Sequence, residues 1–133
     1  MLSHMSRNAG LKMNVPTVRG VQTGLPAGTF RKLSRLLGLA EVTLARHLSI
    51  APATLYRRLS TGRFTSEESD RLARLTRLYA RALDVLGDRE SVRNWFMAPN
   101  PSLGGKKPFD LTLTDPGCVE VERLLGRIEN GVC

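Results

Sequence analysis

Leu44-Ala45-Arg46-His47-Leu48-Ser49-Ile50-Ala51-Pro52-Ala53-Thr54-Leu55-Tyr56-Arg57-Arg58-Leu59 is the stretch whose reading decides the fold. Its spacing is that of a helix-turn-helix. Ala45 is small where two helices must cross closely, Leu48, Ile50 and Leu55 fill the wedge between them, and Ser49 takes the tight turn. Pro52 suits the first position of the second helix, where its missing N–H is no loss. The solvent face of that helix offers Ala53, Tyr56 and Arg57 to a DNA major groove, with Thr54 and Arg58 placed for phosphates or the groove wall. A plain helical hairpin with a solvated arginine face is the competing reading. Tyr-Arg-Arg at the exposed end of a basic segment is more than solubility needs, which favours DNA. Two positions depart from the pattern: Ser49 stands where glycine is usual, and Ala51 has no side-chain oxygen to cap the helix, a loss of roughly 1 kcal/mol.

Outward from this core the period stays helical from Pro26 to Glu129. Phe30, Leu33, Leu36 and Leu37 recur at helical spacing until Gly38, which predicts a helix ahead of the motif. Behind it, Thr65 and Glu68 form a capping box that opens a long amphipathic helix through Leu72, Leu75, Tyr79, Ala82, Leu83 and Leu86, closed by Gly87. Asp88 caps a further helix carrying Val92, Trp95 and Phe96, with Trp95 expected in the core, and Pro99 ends it. A Pro/Gly-rich loop runs to Pro108. The last helix starts near Thr114-Asp115-Pro116, shows Val121, Leu124, Leu125 and Ile128 on one face, and meets Gly131 at its end. A short extended piece is expected at Leu111 to Leu113, and strand alternation appears nowhere else. The fold class is all-α.

A length of 133 residues suits one modest domain or two very small ones and is too short for a barrel or a two-domain dinucleotide enzyme. Twenty basic against twelve acidic residues give a net charge of +8, and 41% hydrophobic residues mark a folded basic protein. The distribution is uneven. Residues 1–24 hold three bases and no acid, residues 25–90 twelve and seven, and residues 91–133 five of each, for net charges of +3, +5 and 0. Three parts are therefore expected: a flexible basic arm over 1–24, a helix-turn-helix region with its long connecting helix over 25–87, and a neutral helical domain over 88–133. The neutral part is unsuited to DNA, and its Trp95-Phe96 and leucine face suit a protein partner, a second copy of the chain, or closure of the domain's own core.

Catalytic chemistry finds little support. His47 has no serine, cysteine or aspartate at triad spacing, and it reads as a surface or groove-facing residue. Glu67, Glu68 and Asp70 fall in the first turns of the long helix, where they complement its dipole. Gly104-Gly105-Lys106-Lys107 lacks the spacing and preceding strand of a phosphate loop and reads as a turn. Cys118 and Cys133 form no CxxC and no metal spacing, so neither a disulfide scaffold nor a metal site is expected, and a reducing cytoplasm fits best. No run approaches the roughly 18 apolar residues of a membrane span. No cofactor is expected.

The order Trp95-Phe96, Pro99-Asn100, Leu103-Gly104-Gly105, Pro108, Asp110, Thr114, Gly117, Leu124-Leu125-Gly126-Arg127-Ile128-Glu129 and Gly131-Val132 resembles the toxin-binding domain of the Xre/MbcA/ParS antitoxins. The helix-turn-helix before it is similar to theirs, and the likeness covers roughly residues 25–133. Thr112 departs from it, standing where the family usually has an apolar residue, and Cys133 follows Gly-Val where an aromatic is frequent. The resemblance implies a type II antitoxin that pairs with a RES-domain toxin, an enzyme that consumes NAD or transfers ADP-ribose from it. Neutralisation in the family places the C-terminal region over the toxin's NAD site. Carried onto this chain, that puts Asn100, Leu103, Lys106, Arg127, Glu129, Gly131, Val132 and Cys133 at the toxin interface. Glu129 and a terminal carboxylate can meet cations built for pyrophosphate, with Arg127 satisfying an acidic toxin residue. Half-sites of an operator lie about 34 Å apart, which calls for a homodimer or a larger toxin-antitoxin assembly on operator DNA, with the chain repressing its own operon. A stand-alone helix-turn-helix regulator remains the alternative; it would need no neutral C-terminal domain.

Overall fold

A computed structural model describes residues 15–131. Among the described residues every regular element is helical, and they form two compact units: Val15–Thr76, and a second beginning at Arg77. The division falls inside the long helix.

The first unit opens with α1, Val18–Thr23, followed by α2, Ala27–Leu37, α3, Glu41–His47, α4, Pro52–Thr61, and the start of α5, Ser66–Leu86. Residues 17–24 correct the expectation of a structureless arm. α1 has no buried residue, so no apolar period announces it. It is held locally: the Thr17 hydroxyl accepts the Gly20 N–H at 3.0 Å, and the Thr23 hydroxyl donates back to the Arg19 carbonyl. Gly24 then turns at φ +95°, where a Cβ would strike the Phe64 carbonyl, and Arg63 donates to the Gly24 carbonyl at 2.7 Å. The remaining residues of the expected arm, 1–14, lie outside the described residues.

Phe30, Leu33 and Leu37 line the buried face of α2, and Phe30 meets Phe64 with ring centroids 5.4 Å apart. Gly38 ends α2 in the left-handed region, with Leu39 N–H returning to the Ser34 carbonyl. α3 ends in the same hydrogen-bond pattern: Ser49 N–H reaches Arg46 O and Ile50 N–H reaches Ala45 O at 2.8 Å, the two closures of a Schellman turn. Ser49 itself carries φ +60°, so the turn adopts glycine's conformation without glycine. The capping box forms as expected, with Glu68 N–H donated to the Thr65 hydroxyl at 3.2 Å and Thr65 N–H to the Glu68 carboxylate at 2.9 Å.

The second unit contains the rest of α5, then α6, Arg89–Met97, a 3-10 turn at Pro101–Leu103, α7, Pro108–Leu111, and α8, Asp115–Glu129. Asp88 caps α6 through the Ser91 N–H, and Thr114 caps α8 through the Gly117 N–H. Val92, Phe96, Val121, Leu124 and Leu125 are fully buried. Trp95 is half-buried, not core: the i, i+4 pair Val92 and Phe96 takes the inward stripe of α6, and the indole stands at its flank, edge-on to Phe96 with centroids 5.3 Å apart. The extended piece expected at Leu111–Leu113 is also corrected. Pro108 starts the helical turn α7, buries Phe109, and leaves Leu113 60% exposed in the turn that follows. Gly117 has no room for a side chain, because a Cβ would run into the Leu111 carbonyl.

Candidate functional site

Two surfaces carry the candidate residues, one in each unit. On the first, α3 packs on α4 through the motif's own apolar set: Ala45, Leu48, Ile50 and Leu55 are all buried. With Leu55 inward, helical spacing turns Ala53, Tyr56, Arg57 and Ser60 outward as one i, i+3, i+4, i+7 face. All four are exposed, and Tyr56 retains 74% of its surface, an unusual exposure for an aromatic. Ser60 joins this face although the motif reading did not single it out; its distance of seven residues from Ala53 was the available signal. Thr54 is half-buried at the edge.

Arg58 behaves differently from its neighbour. Its Nε and Nη2 donate to the two carboxylate oxygens of Glu68 at 2.7 and 3.1 Å, a forked pair with both side chains largely shielded. The hydrogen bond to Glu68 raises the Arg58 pKa. Burial by itself pushes the Glu68 carboxyl upward, but the bonds from Arg58 and from Thr65 outweigh it and hold the group below the usual glutamate range. Arg58 thus ties the C-terminal half of α4 to the first turn of α5, and the expectation of a phosphate contact meets a guanidinium already engaged. The reason is non-local: the partner sits ten residues away across the turn.

Other bases in this unit also have partners within it. Arg71 Nε caps the end of α3 by donating to the Leu48 carbonyl at 2.6 Å, Arg63 bonds Gly24, Arg74 pairs with Asp70 at 2.7 Å, and Arg31 lies 3.5 Å from Glu41. Arg19, Lys32, Arg35, Arg46 and Arg57 stand exposed. These exposed cations, rather than the total charge, measure what the unit can offer a phosphate backbone.

In the second unit the loop residues build their own support. Asn100 Oδ1 accepts the Ser102 N–H at 2.9 Å, its backbone N–H reaches the Lys106 carbonyl at 3.0 Å, and its carbonyl accepts the Gly105 N–H at 2.9 Å. Gly104 and Gly105 supply the positive φ this closure needs, +67° and +82°. Asn100 is therefore the keystone of the loop, Leu103 is half-buried, and Lys106 points into solvent beside it. At the far end of α8, Arg127, Glu129 and Gly131 are exposed. Arg127 and Glu129 are two residues apart and so leave the helix on different flanks. The Glu129 carboxylate accepts from Arg81 Nη2 at 2.6 Å, an intramolecular partner that the sequence reading had not given it. Gly131, at φ +72°, closes the helix through its N–H to the Ile128 carbonyl. Val132 and Cys133 lie outside the described residues. Two exposed apolar side chains of this unit, Leu113 and Val119, escaped the sequence reading, because a lone apolar residue in a turn looks like any other.

No helix among the described residues is long and apolar enough to cross a membrane. Residues 16–77 match the model of the antitoxin Xre-like helix-turn-helix domain, and residues 81–131 that of the antitoxin Xre/MbcA/ParS C-terminal toxin-binding domain. The chain is 31% identical over 129 residues to an "Antitoxin Xre" of Yersinia enterocolitica, covering 91% of this chain and 87% of that protein. It is 32% identical over 111 residues to the "Antitoxin Xre" of Photorhabdus laumondii, covering 82% and 75%. It is also 24% identical over 121 residues to a "Prs ADP-ribosylating antitoxin" of a Sphingobium species, covering 84% and 76%. With both halves matched in order and a relative alike over nearly the whole length, the chain belongs to the Xre/MbcA/ParS family of antitoxins.

Proposed function

We propose that this antitoxin silences a RES-domain toxin by covering its NAD site with the end of α8 and the residues after it, and that the same chain represses its own operon through α4. The observation that carries the reading is the exposed terminus of α8. Arg127, Glu129 and Gly131 end the unit matched as toxin-binding, and they bring opposite charges to one short projection. A cleft that holds a dinucleotide presents cations to pyrophosphate, and a short charged projection can occupy it sterically while satisfying groups on both flanks. Lys106, Leu113 and Val119 add a basic and an apolar contact from the rest of the unit. The name of the Sphingobium relative ties that protein to ADP-ribosylation, which supports a partner acting on NAD.

DNA binding rests on the outward face of α4. Tyr56 and Arg57 read base edges, Ala53 and Ser60 border them, Thr54 meets the groove wall, and Arg58 positions the helix from behind through Glu68. Two half-sites about 34 Å apart require at least a homodimer, or a toxin-antitoxin assembly with several copies. The protein acts as a binding partner and not as an enzyme, inside the cytoplasm where its toxin and operator are found.

Co-expression with the product of the neighbouring gene tests the reading. A stable complex is expected on purification, with NAD consumed by the partner alone and spared by the complex. A partner that purifies apart, or a complex that consumes NAD as fast as the free partner, refutes it.

A further inference from the structure

We propose that Arg81 is a positioning residue for toxin recognition: by clamping Glu129 it fixes the last turn of α8 and thereby the direction in which the chain leaves the helix at Gly131. The inference rests on the reading that this terminus enters the toxin, and it reassigns Glu129 from a direct toxin contact to the receiving half of an internal clamp.

Three observations carry it. Glu129 occupies the last helical position of α8, where the helix dipole is negative and a carboxylate opposes it. A glutamate there is unfavourable for the helix alone and calls for a nearby cation. Arg81, 48 residues earlier on α5, supplies that cation at 2.6 Å, and its guanidinium also lies 3.7 Å from Asp84 one turn along its own helix. The guanidinium thus lies between a carboxylate of its own helix and the one it binds on α8. Just beyond the clamp the chain changes direction: Asn130 ends α8 and Gly131 takes φ +72°. A small rotation of the final turn would redirect the chain at Gly131, so a tie at Glu129 acts where it has the most leverage. The raised pKa of Arg81, caused first by its bond to Glu129, accords with the pairing. Fixing the last helical turn before it binds removes part of the entropy that association otherwise loses.

The test uses the full chain and its co-expressed toxin, with affinity measured for Arg81→Gln, Glu129→Gln, the double variant Arg81→Gln with Glu129→Gln, and each placed in a chain ending at Asn130. The pair is about one-third exposed on each side, so a change of roughly two- to fivefold is expected. Arg81→Gln and Glu129→Gln should each weaken binding by that factor in the full chain and leave the shortened chain unchanged. The double variant should lose no more than either single one, because both remove the same tie, while thermal unfolding stays close to the parent's. Equal losses in the full and shortened chains, no loss in the full chain, or losses that add in the double variant would each overturn the positioning role. If shortening alone leaves toxin affinity untouched, the terminus does not enter the toxin, and the occlusion reading fails together with this inference. If shortening weakens binding while the Arg81 and Glu129 variants do not, only the positioning role fails.

Discussion

Replacing Glu68 by alanine removes two things at once, and the structure allows each to be sized. The first is the reciprocal cap at the start of α5: the Thr65 N–H loses its acceptor at 2.9 Å, which costs about 0.5–1 kcal/mol. The second is the fork to Arg58. Charge-assisted bonds contribute about 1.5–3 kcal/mol net, and because the Arg58 side chain retains 21% of its exposure, water recovers part of that, so the lower half of the range applies. Together Glu68→Ala should destabilise the helix-turn-helix unit by about 2–3 kcal/mol, read from urea unfolding followed by circular dichroism. Arg58→Met should cost a similar amount alone but much less in the Glu68→Ala background, because the partner is already gone. The pair also sets an acid limit. The folded Glu68 carboxyl titrates below its unfolded counterpart, so its contribution is complete above the ordinary glutamate range and is lost as pH falls through the lowered value. Glu68→Gln should flatten that part of the stability profile. A Glu68→Ala unfolding free energy within about 0.5 kcal/mol of the parent's, or an Arg58→Met cost that is the same in both backgrounds, would show that the fork does not hold α4.

Three further outcomes can be checked independently. Arg57→Ala should leave unfolding within about 0.5 kcal/mol of the parent, since the residue is exposed, yet flatten discrimination between operator and unrelated DNA; retained discrimination in a salt-controlled gel shift would dismiss α4 as the reader. Gly117→Ala gains about 1 kcal/mol of helix propensity but drives a Cβ into the Leu111 carbonyl, so a net loss of about 1–3 kcal/mol is expected on denaturation, and a stabilised variant would contradict that packing. Tyr79 is fully buried and its hydroxyl has no hydrogen-bond partner among the described residues, so Tyr79→Phe should raise stability by about 1 kcal/mol; a clear loss would mean that the hydroxyl is satisfied.

Local chemistry made much of this fold legible. The capping signals at Thr65 with Glu68, at Asp88 and at Thr114 each sit within three residues of the N–H they bind, so the helix starts could be read in order. Leu48, Ile50 and Leu55 announced the helix-turn-helix because its wedge is built from neighbours in sequence. What escaped was tertiary or weakly coded. α1 buries no apolar residue and depends on hydroxyl bonds and the Gly24 turn, leaving no period to detect. α7 is one helical turn, too short to distinguish from an extended apolar piece. For the candidate sites, the outward face of α4 followed directly from helical spacing. The engagement of Arg58 by Glu68 and of Glu129 by Arg81 did not, because no local rule tells a solvated charge from one paired across the fold.

The most direct test is NAD turnover by the purified toxin titrated with this chain and with a version lacking residues 127–133. The account predicts that the full chain abolishes turnover at equimolar ratio, whereas the shortened chain, folded and still binding operator DNA, leaves most of it intact. Equal inhibition by the two would contradict occlusion by the α8 terminus.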